Sequence, residues 1–109
     1  MNMIKSKTAN GKSSKTKLVR EMYGGEWYEY YPLGKYVVAA PGVCGGRPTF
    51  KYTRLEVSMI LAWLETGRTI EQIVEGYAAS RLTPDAVKEA ISIAKRALLK
   101  STKMLKKAT

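Results

Sequence analysis

Histidine is absent from this 109-residue chain, and cysteine and phenylalanine occur once each. Without histidine, the commonest general base and the commonest metal ligand are both missing. The lone thiol, Cys44, builds neither a zinc site nor an intrachain disulfide, and it fits a reducing cytoplasm. Long apolar runs are lacking too. The longest, Tyr36–Ala40 and Met59–Leu64, fall far short of the roughly 20 residues that cross a bilayer. The polar, lysine-rich start has no apolar run behind it and so does not read as a secretory signal. The carboxylates Glu56, Glu65, Glu71, Glu75 and Glu89 are spread along helical surfaces, each more simply a solvated or capping group than half of a catalytic pair. The chain therefore reads as a cytoplasmic, non-enzymatic protein that needs no cofactor and no metal.

Acid is scarce in two places, and its absence there sets the electrostatics. Residues 1–20 carry Lys5, Lys7, Lys12, Lys15, Lys17 and Arg20 with no acidic residue, and residues 100–109 carry Lys100, Lys103, Lys106 and Lys107, again with none. Between them nine basic and nine acidic residues cancel, so the whole net charge of +10 lies in the two tails. A neutral globule with two cationic arms suits a partner that is a polyanion. Tails that only confer solubility, and an anionic membrane surface, are the competing explanations. The neutral segment, residues 21–99, is small enough that a homodimer or a partner surface would help its core.

Along the chain, residues 1–20 read as a flexible basic arm, low in apolar side chains. Residues 27–40 are rich in β-formers on either side of Pro32-Leu33-Gly34-Lys35, which predicts a hairpin with a four-residue loop. Gly42–Pro48 follows as a turn region. Three helix starts come next. Thr53 with Glu56 forms one capping-box pattern and Thr69 with Gln72 a second, while Thr83-Pro84-Asp85 opens a third helix with proline at its first position. The third has no stop signal before the end of the chain. Val87, Ile91, Ala94, Leu98 and Leu105 fall on one side of it, and Arg96, Lys100, Lys103 and Lys107 on the other. Residues 100–109 thus read as a basic extension of the last helix.

From Gly42 to about Ala97 the chain resembles a prokaryotic family, the domain of unknown function 433. The resemblance rests on Gly45-Gly46-Arg47-Pro48, on Thr53-Arg54, on the helix Thr-Ile-Glu-Gln-Ile-Val-Glu-Gly-Tyr at 69–77, and on the start Leu-Thr-Pro-Asp-Ala-Val-Lys-Glu-Ala at 82–90. It departs from the family in having Tyr52, not glycine, before Thr53, and Ala78, not proline, after Tyr77. The resemblance implies a mainly α fold: a three-helix, homeodomain-like helix-turn-helix core behind a short β-hairpin, frequently a dimer. It also implies a DNA-binding, VapB-type antitoxin regulator, partnered in many members by a PIN-like nuclease toxin. The residues themselves leave two alternatives open: an RNA-binding component of a ribonucleoprotein such as the ribosome, and a protein-only module that neutralises a nuclease.

The candidate contacts follow from this reading. In a helix-turn-helix formed by the second and third helices, Arg81, Lys88, Ser92, Lys95 and Arg96 lie where nucleic acid would be met. Asp85 and Glu89, near the start of the third helix, would repel phosphate there, which makes the basic face at Arg96, Lys100, Lys103 and Lys107 the better electrostatic candidate. Gly42–Pro48 lacks the lysine and hydroxyl of a phosphate-binding loop and reads as a tight turn, with Arg47 pinning the next segment or reaching a phosphate. Arg54, expected in the first turn of a helix, either pairs with Glu29 or Glu56 or points at a ligand. Trp27, Tyr28, Tyr30, Tyr31 and Tyr36 are either core and interface or a surface for stacking bases, with Lys35 taking backbone charge. With both faces of the first strand aromatic, one face is expected to meet the helices.

Overall fold

A computed structural model describes residues 17–108, with side chains through Lys103. Four strands form an antiparallel meander: β1 (Val19–Tyr23), β2 (Glu26–Pro32), β3 (Val37–Ala39) and β4 (Pro48–Phe50). Three helices follow: α1 (Val57–Glu65), α2 (Ile70–Gly76) and α3 (Pro84–Ala108). The expected mainly α class is thus corrected. The sheet is twice the predicted hairpin, and the fold combines a four-stranded antiparallel sheet with three helices.

The two additional strands have separate causes. β1 and β2 are joined by Gly24-Gly25, both at positive φ (62° and 84°), the backbone that a tight hairpin matching the strand twist requires. Val19 and Arg20, which by composition end the basic arm, therefore pair with Tyr30 and Glu29. β4 is only three residues long, too short for its own periodicity to show. It exists because Thr49 and Phe50 pair with Val38 and Val37.

Alternation along the strands divides the core in two. Val37 and Phe50 face the helices and pack with Val57, Ile60, Ile73, Leu82 and Val87. Val38, on the other face, packs with Tyr30 and Ala40, flanked by Val19 and Tyr28. The expectation that one aromatic face of the first predicted strand meets the helices does not hold. Tyr28 and Tyr30 join the cluster on the opposite face, while Trp27 and Tyr31 are exposed.

The helix starts show which local signals survive tertiary contact. Thr69 and Gln72 close the reciprocal capping box (3.1 and 2.9 Å), and the Thr83 hydroxyl accepts from the Ala86 amide (3.2 Å) ahead of Pro84. The box expected at Thr53 does not form. α1 begins at Val57, four residues later, with no side-chain cap. Glu56 is held instead by Arg47, and Thr53 latches the turn before it: its hydroxyl donates to the Phe50 carbonyl (2.7 Å) and accepts from the Leu55 amide (3.0 Å).

α3 is the spine. At 25 residues it is about 37 Å long. Its first turns are buried through Ala86, Val87 and Ala90, and from Ala94 through Lys103 every residue is exposed. Among the described residues, no helix is long and apolar enough to cross a membrane.

Candidate nucleic-acid interface

Apart from Lys106 and Lys107, the cationic residues singled out by sequence fall into three groups. Lys5, Lys7, Lys12 and Lys15 lie outside the described residues. Arg20 and Arg47 are engaged in ion pairs. Arg20 meets Glu29 at 3.2 Å and lies 4.1 Å over the Trp27 ring, and Arg47 meets Glu56 in a two-bonded clasp at 2.9 and 3.1 Å. The Arg47 hydrogen bonds hold the Glu56 carboxyl below the usual glutamate range. Arg47 therefore pins β4 to the start of α1. The third group makes no ion pair among the described residues: Lys17, Lys35, Arg54, Arg81, Lys88, Lys95, Arg96, Lys100 and Lys103, all exposed. Lys106 and Lys107 follow in the last turn of α3.

Lys88 and Lys95 lie at helical spacing on α3 with half-buried Ser92 between them, and Lys95, Arg96, Lys100 and Lys103 continue along its exposed half. No acidic residue occurs after Glu89. Glu89 itself is not free to oppose a phosphate. Its carboxylate accepts the backbone N–H groups of Lys35 (2.8 Å), Tyr36 (2.7 Å) and Val37 (3.0 Å), which fastens the β2–β3 turn to α3. Hydrogen bonds of this kind satisfy the charge locally. Of the two acids near the start of α3, only Asp85 remains exposed.

Arg54 and Arg81 converge on a site that their positions in the sequence do not outline. The 3₁₀ turn Ala78–Ser80 links α2 to α3 and ends at Arg81, whose φ is +59°. The turn Phe50–Thr53, closed by the Thr53 amide on the Phe50 carbonyl (3.0 Å), places Tyr52 at φ +67°. Between these turns lies an open cleft of about 660 Å³, lined by Tyr23, Lys51, Tyr52, Arg54, Ser80 and Arg81 among others, with no acidic side chain among the described residues that line it. It adjoins a second hollow that reaches Lys35 and Ala86.

Aromatic contacts fix the floor of this cleft. The Tyr23 and Tyr52 rings stack with centroids 4.1 Å apart and planes 10° from parallel. The Tyr52 amide donates to the Tyr28 hydroxyl (3.0 Å), and the Tyr52 hydroxyl donates to Glu21. That last bond holds the Tyr52 phenol above its ordinary range, so it stays neutral. The Lys51 ammonium lies 4.8 Å from the Tyr30 ring and 4.9 Å from the Tyr52 ring. The Tyr30 hydroxyl, more than any other neighbour, raises its pKa, so Lys51 stays charged. Lys51, Tyr52 and Tyr23 are not among the sites expected from sequence. The signal that points to them is Tyr52 itself, the bulky residue already noted before Thr53-Arg54 as a departure from the pattern that the chain resembles.

Neither the curated proteins nor the solved structures contain a match to this chain. One family profile does match, that described as "Protein of unknown function (DUF433)", over residues 37–94, from the start of β3 into the third turn of α3. With more than half of its 109 residues inside that match, the chain belongs to this family.

Proposed function

We propose that this protein binds nucleic acid without catalysing a reaction, acting as a DNA-binding regulator of the antitoxin type. The observation that carries the reading is the exposed half of α3. There Lys95, Arg96, Lys100 and Lys103 stand clear of the body, with no acid beyond Glu89 and no ion-pair partner among the described residues. A solvated helix face ordinarily mixes both signs, whereas a face of one sign this long suits a phosphate backbone. Engagement of Glu89 by the hairpin supports the helix-turn-helix part of the reading, because it removes one of two acids from the approach to α3.

The test is the salt dependence of binding to duplex DNA. Neutralising Lys95, Arg96, Lys100 and Lys103 together to glutamine should flatten the plot of log affinity against log salt, by roughly 0.9 unit for each phosphate that is no longer neutralised. An unchanged slope rules the reading out. A second reading, an RNA-binding component of a ribonucleoprotein, is favoured by the tyrosine-floored cleft. Purification of the native protein under gentle salt separates the alternatives. Ribosomal particles in the eluate favour the RNA reading, and a nuclease favours a protein-neutralising module.

A further inference from the structure

Three non-glycine residues among those described have positive φ, and two of them, Tyr52 and Arg81, line the same cleft. A bulky L-residue in this region is disfavoured by about 1 kcal/mol or more, and such backbone persists where the surroundings or a function require it. Here the surroundings are visible: Tyr23, Tyr28 and Glu21 hold the Tyr52 ring and backbone from the side of the sheet. Their combined effect is to present an aromatic stack beside three cations. Tyr23 and Tyr52 remain 48% and 39% exposed, so the stack is not sealed into the core. Lys51, Arg54 and Arg81 lie around it without ion-pair partners among the described residues, and Glu21 is held at the tyrosine hydroxyls of Tyr30 and Tyr52.

We infer that this cleft binds one unpaired nucleotide of a nucleic acid strand, its base on the Tyr23–Tyr52 stack and its flanking phosphates among Lys51, Arg54 and Arg81. The inference rests on the nucleic-acid reading above and goes beyond it, since a duplex engaged by α3 offers no free base. Every base has a π-face, so a stacking floor tolerates sequence. The guanidinium groups of Arg54 and Arg81 suit planar, two-bonded recognition of phosphate oxygens. The chemistry is common to single-stranded RNA, single-stranded DNA and a base extruded from a helix.

The experiment compares labelled single strands of about 12 nucleotides, as RNA and as DNA, with a blunt duplex of equal length, using fluorescence anisotropy. Tyr52→Gly removes the ring while relieving the positive φ, so it should fold, and Arg81→Gly removes a charge at a second positive-φ position in the same way. Each should weaken single-strand binding roughly tenfold, and Tyr52→Gly should leave duplex binding within about twofold of the unmodified protein. Tyr52→Phe keeps the ring and should keep the affinity. Arg54→Ala, at an exposed residue outside any helix or strand, provides a variant independent of backbone strain and should weaken single-strand binding in the same sense. The relative affinities of RNA and DNA strands identify the source. Single-strand binding unchanged in both Tyr52→Gly and Arg81→Gly, or abolished equally in Tyr52→Phe, overturns the inference while duplex binding through α3 still stands. Absence of binding to every strand and to the duplex overturns both.

Discussion

The Glu89 carboxylate satisfies three successive backbone amides of the β2–β3 turn, and the position of Gly34 makes this possible. A Cβ at residue 34 would sit 2.6 Å from the Glu89 carboxylate. Gly34→Ala should therefore destabilise the fold by about 1–3 kcal/mol in urea titrations, by pushing the acceptor away from its donors. In a Glu89→Ala background the same substitution should cost only a few tenths of a kcal/mol, because the clash and the bonds disappear together. Thr49 makes the opposite case. It is fully buried, and its hydroxyl oxygen has no hydrogen-bond partner among the described residues. Thr49→Val keeps the shape and removes the unsatisfied oxygen, so stability should hold or rise by up to about 1 kcal/mol in the same assay. From sequence Glu89 reads as an acid facing phosphate, because its three donors lie on a distant hairpin and nothing local to α3 announces them.

Helices are legible where their signals are local. The Thr69–Gln72 box and the Thr83-Pro84 start need only neighbours within one turn, and both are present. The Thr53–Glu56 pattern fails because a stronger partner, Arg47, claims the carboxylate from outside the segment. The β1–β2 hairpin has a local mark in Gly24-Gly25, whereas β4 and the cleft depend on contacts between segments far apart in the chain. Arg54 and Arg81 are legible as cations, but not as neighbours. The Arg47–Glu56 clasp gives the β4–α1 junction a pH dependence with a definite sign. Glu56 titrates lower in the fold than in the unfolded chain, so its contribution is present above the ordinary glutamate value of about 4.5 and is lost as the pH falls below it. Arg47→Gln should therefore lower stability most near neutrality, by an amount that shrinks as the pH falls below that value, so that the acid limb of stability against pH flattens. Urea midpoints across that range would show it.

The molecule as a whole has a packed part and a protruding part, joined by one helix. Because nothing from Ala94 to Lys103 is buried, a chain ended after Leu98 should melt within a few degrees of the full chain while binding duplex with a shallower salt slope. A large drop in melting temperature would mean that the protruding half is part of the fold's own support. The attachment of Glu89 to the β2–β3 turn bears on the cleft as well. Arg81 leads directly into α3, and Tyr52 follows the last strand of the sheet that Glu89 ties to that same helix. Both jaws are thus referenced to a single rod, and the gap between Tyr52 and Arg81 behaves as a caliper locked before use. With both walls tied to α3 in this way, less of a guest's binding energy is diverted into ordering the host.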